Sequence, residues 1–257
     1  MGGWRTYVAL TILLVAFVSS WKPGEPRLAV VCSNLAHEPF HSPPRNLLPG
    51  GYGVQENIRG EFEAMVVAED TLIGQMMAVV DLATTLVIVV GDNGTPPKVA
   101  PGRGKAKDTT FERGVRVPLI VAGAGVSSPG RTSDELVHIV DLWETVIDAC
   151  RGHHGDTPFP VASVSLVPVL RNEAHAPLHD FVFVGAQWGM ADGDIAVIDQ
   201  RGLKLRRLDA DGDRKFDSEE LYDLAKDPGE TRNLIADPAY AAEIEKLRAE
   251  LERSLLP

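Results

Sequence analysis

The stretch TLVIVVGDNGTPPK, residues 85–98, runs from an apolar, β-branched segment straight into Asp92, Asn93 and Gly94. One leucine, one isoleucine and three valines in succession, bounded by turn residues, read as a buried strand. The acid, amide and glycine at its exit fit a plain turn, because Asn-Gly is a common turn pair. They also fit a metal site, since hard divalent cations such as Ca²⁺ or Mg²⁺ take carboxylate and amide oxygens. The elements on either side decide between the two.

Upstream, RLAVVCSNL (27–35) is a second short apolar run and is expected to be a buried strand. AHEPFHSPPRNLLPGGYG (36–53) is crowded with proline and glycine and must be a long loop. Residues 56–80 carry apolar side chains at helical spacing, among them Phe62, Met65, Val66, Ile73, Met76, Met77 and Val80. Downstream, a polar, glycine-rich loop (91–114) leads to VPLIVAG (117–123), a third buried strand, and to helical periodicity over 134–150. This alternation predicts an α/β fold, a largely parallel sheet flanked by helices. In such sheets ligands sit outside the C-terminal strand ends, where both long loops are expected. Loops of this length inside a compact domain are usually functional.

Beyond residue 167 the character changes. DFVFVGA, DIAVIDQ and GLKLRRL are short strands separated by turn residues, which predicts a small antiparallel sheet, and residues 238–255 predict a final helix. The expected organisation is a leader or buried helix at 1–20, a partial α/β domain over 21–167, and an antiparallel subdomain with its helix over 168–257.

With 257 residues, 44% of them hydrophobic, the chain can bury a sizeable core. Its formal net charge of −11 gives nucleic acid no electrostatic footing. Two cysteines, Cys32 and Cys150, exclude a disulfide scaffold and a cysteine zinc cluster. At the N-terminus, Arg5 precedes the apolar run YVALTILLVAFV (7–18) and the small residues Ser19 and Ser20, the three-part shape of a secretory signal. The run is too short for a comfortable membrane span. A signal places the protein outside the cytoplasm, secreted or periplasmic; a buried core helix leaves it cytoplasmic.

Three further side chains stand on the loops. His37 lies in AHEP, and Lys105 and Lys107 precede TTFERGVRVP (109–118). Lysine suits an anion as a compact point charge. A histidine, a lysine and an Asp-Asn pair at one sheet edge could hold a divalent cation and a tetrahedral anion. The order and spacing of these pieces resemble the sulfatase family, within the alkaline-phosphatase-like superfamily. HEPFHSPP looks like its proline-flanked histidine loop, AEDTLIGQMM like the helix ahead of the metal strand, and TLVIVVGDNG like that strand's end. AKDTTFERGVRVPLIV is similar to its lysine loop and next strand, VHIVDLWETVIDACRG to the following helix, and EELYDLAKDPGETRNL (219–234) to its C-terminal signature.

The resemblance implies that Asp92 and Asn93 ligate an active-site Ca²⁺. It implies that Lys107, rather than Lys105, contacts the sulfate, and that His37 contacts the sulfate or the leaving-group oxygen. The implied activity is hydrolysis of a small-molecule or carbohydrate sulfate ester. Phosphoesterase branches of the superfamily carry Asp-His where this chain has Asp92-Asn93, and an amide favours calcium over zinc. One departure is Arg113, where the family usually has a glycine; it either crowds the lysine loop or only adds a surface charge. Family members also use a formylglycine made within a Cys-x-Pro-Ser-Arg type motif and a further pair of acidic calcium ligands. Neither occurs among the residues before His37, and Ser42-Pro43-Pro44-Arg45 belongs to the histidine loop. The alternatives are a non-catalytic anion- or calcium-binding remnant and a phosphoesterase. A rival calcium loop, DADGDRKFDSEE (209–220), has acids at EF-hand positions but Arg214 where the sharp turn needs glycine.

Overall fold

The computed structural model describes residues 17–18, 20, 22, 24–101, 104–153, 162–186, 193–208 and 216–254. Most of the expected signal peptide and residues 209–215 of the acidic loop lie outside these. The chain forms two compact units, Met1–Thr85 and Leu86–Pro257.

In the first unit, the Asn57 side chain accepts the Gly60 N–H at 2.8 Å and so caps helix α1, Ile58–Met77. The helix buries Ala64, Met65, Ala68 and Leu72, a stripe at three- and four-residue spacing, against Leu35, Leu47 and Leu48. Phe40 meets Phe62 edge-on at 5.5 Å and closes the same core. On the helix flank, burial pushes the Glu69 carboxyl up, while the Ser33 hydroxyl, donating at 2.6 Å, draws it partly back. The expected strand over residues 27–35 does not form. Leu28, Val30 and Val31 are 61%, 76% and 38% exposed. Among the described residues no neighbouring strand pairs with this run, and an apolar run without a ladder partner stays irregular.

In the second unit, β1 (Leu86–Val90) pairs with β2 (Leu119–Gly123), Ile88 opposite Val121. The pair is antiparallel, which corrects the parallel expectation for these strands. The connection contains a single helical turn, Glu112–Val115, and no crossover helix, so the chain doubles back at the edge it left. The helix expected over 134–150 starts late, as α2 (Asp141–Ala149). The buried Asp141 carboxylate accepts the His138 N–H at 2.7 Å and the Val164 N–H at 3.0 Å, with His179 Nε2 2.9 Å away. The acid is therefore committed to fixing the helix start and the segment behind it.

The C-terminal sheet is the expected antiparallel meander with one more strand than the sequence suggested. Its order is β3 (Phe181–Ala186), β4 (Asp194–Asp199), β5 (Leu203–Leu208) and β6 (Ser218–Asp223). Helix α3 (Ala241–Ser254) packs Ile244, Leu247 and Leu251 onto Val197, Leu203, Leu205 and Leu221. At one end of this face Glu219 receives Arg207 Nε at 2.7 Å and Arg248 Nε at 2.9 Å. Burial raises the Glu219 carboxyl, but the two guanidiniums outweigh it and the net shift is downward.

Two measurements check this packing. Leu247→Ala, at a wholly buried core position, is expected to cost ~2–5 kcal/mol in denaturant unfolding. Because the folded Glu219 pKa lies below its unfolded value, its contribution is complete above the ordinary carboxylate range and lost as pH falls through the folded value. Glu219→Gln should therefore flatten the acid limb of a Tm-versus-pH curve below about pH 4.3.

Candidate functional site

The exit of β1 and the lysine loop are held as one backbone ladder. Beyond the strands proper, Gly91 N–H donates to the Pro118 carbonyl at 3.1 Å, Gly94 N–H to Gly114 at 2.9 Å, and Thr95 N–H to Arg113 at 2.8 Å. Lys107 N–H then donates to the Thr95 carbonyl at 2.9 Å. Glycine is required twice for this approach. A Cβ on Gly94 would meet the Arg113 oxygen at 2.0 Å, and one on Gly114 the Thr109 and Ala106 oxygens at 2.3 and 2.4 Å. Arg113, the departure from the family pattern, is exposed and donates its guanidinium to the Pro101 carbonyl. It adds a surface charge and does not crowd the loop.

Asp92 and Asn93 stand at the head of this ladder. Asp92 Oδ1 accepts the Asn93 N–H at 2.8 Å, which leaves Oδ2 directed elsewhere. Asn93 Nδ2 donates to the Gly94 carbonyl at 3.1 Å, so its carbonyl oxygen has no donor among the described residues. Two hard oxygens of this kind match a calcium ion's preference, and a full shell takes six to eight. Among the described residues no cluster of three or more His, Cys, Asp or Glu side chains could hold a metal. The pair fits calcium in ligand type and is too small by itself for a full shell.

The two lysines separate clearly. Lys105 donates its ammonium to the Glu230 carbonyl and lies 4.6 Å from the Phe111 ring centre and 5.5 Å from that of Tyr222. The Tyr222 hydroxyl is pushed up to about 12, first by burial and then by Glu220. Lys107 is half-buried, and among the described residues its ammonium has no partner. His37 lies in the first unit, exposed, with Nδ1 2.7 Å from the Glu38 carbonyl. A ring nitrogen facing a carbonyl carries the proton, so the neutral ring keeps its lone pair on Nε2.

Sequence reasoning missed the side chains that brace the loop. Thr110 N–H and Oγ1 both donate to Asp194, at 2.9 and 2.6 Å. Arg206 Nε donates to Thr110 Oγ1 at 2.8 Å, its guanidinium lies 3.5 Å from the Phe111 ring centre, and it also binds Asp194 and Glu220. Lys204 Nζ lies 3.0 Å from Glu112 Oε1 and 2.9 Å from Glu230 Oε1, the second contact outside hydrogen-bond geometry. The available signal was the alternation in LKLRRL. Leu203 and Leu205 on one face left Lys204 and Arg206 on the other, where a solvated face would be assumed. Of the rival calcium loop, Glu220 binds Arg206 and residues 218–220 belong to β6.

The chain also matches known proteins. The Sulfatase family profile covers residues 7–153, and the profile described as N-sulphoglucosamine sulphohydrolase, C-terminal, covers residues 105–255. The chain belongs to the sulfatase family. A Delta 4,5-hexuronate-2-O-sulfatase of Bacteroides thetaiotaomicron is 30% identical over 171 residues, 65% of this chain and 34% of that protein. Arylsulfatase A of Homo sapiens is 28% identical over 236 residues, 77% of this chain and 45% of that one. A solved 2-O GAG sulfatase superposes with a TM-score of 0.66 at 20% identity, over 97% of this chain and 62% of its own, a likeness of fold. The chain thus spans less than half the length of the two curated relatives.

The glycine argument can be checked directly. Gly114→Ala is expected to cost ~1–3 kcal/mol through overpacking against the Thr109 and Ala106 carbonyls. At the exposed neighbour, Arg113→Ala should stay within about 0.5 kcal/mol in the same thermal melts.

Proposed function

We propose that this chain supplies the calcium- and sulfate-contacting part of a sulfatase site, and that the assembled site hydrolyses the sulfate ester of a small molecule or carbohydrate. The observation that carries the reading is the ladder from Gly94 to Lys107, which fixes the Asp92-Asn93 strand end and the Lys107 turn on one backbone frame. In this reading Asp92 and Asn93 hold Ca²⁺, whose charge, when it is bound, offsets that of the sulfate oxygens. Lys107 adds a point charge against a sulfate oxygen. For His37, which belongs to the first unit, the resemblance alone supports contact with the sulfate or the leaving-group oxygen. The carbohydrate preference is drawn from the hexuronate and GAG sulfatases that the chain resembles.

A nucleophile motif is not among these residues, so turnover by this chain alone is expected to be weak. A phosphoesterase reading is disfavoured by the amide of Asn93, which suits calcium better than zinc. The residues before Phe17 decide whether the site works outside the cytoplasm; among the described residues no helix is long and apolar enough to cross a membrane.

Calorimetric titration with Ca²⁺ tests the assignment. Binding should disappear in Asp92→Ala and persist in Asp209→Ala, and any aryl sulfate turnover should vanish in Asp92→Ala and Lys107→Ala. The opposite pattern, binding that survives Asp92→Ala and fails in Asp209→Ala, would replace this reading with a calcium-binding module built on residues 209–220.

A further inference from the structure

We propose that Lys204 and Glu230 are positioning residues for Lys107, so that the C-terminal sheet sets the conformation of the anion-contacting loop; this rests on the reading of Lys107 given above. Lys204 is wholly buried, with its ammonium between the carboxylates of Glu112 and Glu230. Glu230 Oε2 also accepts the Glu112 N–H at 2.7 Å, so one carboxylate grips both the strand lysine and the loop backbone. One ammonium serves two carboxylates, and Arg116 Nη1 lies 3.9 Å from the outer of them, Glu112 Oε2. Lys105 supplies a nearby cation, bound to the Glu230 carbonyl. Lys107 therefore sits between two anchored points, Lys105 before it and Thr110 to Glu112 after it, and its own ammonium is uncommitted among the described residues. Glu230 holds a left-handed conformation, φ 53°, rarely adopted by a non-glycine residue. Its carbonyl and carboxylate both face the lysine loop, which gives that conformation a use.

Removing Lys204 leaves two buried carboxylates facing each other, and they can separate only if the loop moves. In the full chain, Lys204→Met should raise hydrogen exchange at the Lys107, Thr110 and Glu112 amides about tenfold or more, with the β3–β4 amides unchanged. Protection of Lys107 by inorganic sulfate against acylation with an N-hydroxysuccinimide ester should be lost in the same variant. Glu230→Asn suits the left-handed backbone and withdraws the carboxylate from both Lys204 and the Glu112 N–H; it should loosen the same amides, and it carries the test where Lys204→Met yields no folded protein. Loop exchange within about twofold of the parent in the folded variants overturns the proposal. Sulfate that fails to protect Lys107 in the parent, with loop exchange behaving as described, leaves the tether standing and overturns the sulfate reading.

Discussion

A buried ammonium near the start of a strand is the constraint around which the second unit is arranged. Lys204 cannot reach solvent, so it must be met by anions, and those anions come from two distant places, the lysine loop and the C-terminal turn. Arg206, two residues on and facing the same way, repeats the demand with Asp194, Glu220 and the flat face of Phe111. Strand β5 is thereby covered on both sides, by the leucines of α3 on one and by the lysine loop on the other. The sheet is a support whose polar face has been moulded to the loop.

Much of the fold could be read from the sequence because the signals were local. Apolar β-branched runs identified β1 and β2, short runs between turn residues identified β3 to β5, helical spacing identified α1, and the mixed-charge tail identified α3. β6 escaped because Ser218-Glu219-Glu220-Leu221-Tyr222-Asp223 is mostly polar, and its strand character comes from pairing with β5. The run at 27–35 misled for the opposite reason, an apolar pattern with no ladder to join. The start of α2 was set by the buried Asp141, whose partners His138, Val164 and His179 gather from three segments.

At the site, residue types and order singled out Asp92, Asn93, Lys107 and His37, and a strand exit made the first pair conspicuous. What the sequence could not convey is how the loop folds back. The contact of Gly94 with Gly114 follows from backbone geometry, and the commitment of the Lys105 ammonium to the Glu230 carbonyl joins residues 125 positions apart. The charged brace behind them joins residues too far apart for any periodicity to link.

That separation has a consequence for how the protein comes into being. Thr110 meets Asp194 across 84 positions, Lys204 meets Glu112 across 92, and Lys105 meets Glu230 across 125. Such contacts close late, because large loops must be ordered before any of them forms. As the chain is synthesised from its N-terminus, the lysine loop is complete long before Glu230 exists to hold it. The lysine loop thus gains its last brace near the end of synthesis, and a ribosome stalled before Glu230 would carry Lys107 on a loop that has its backbone ladder and lacks the grip of that residue.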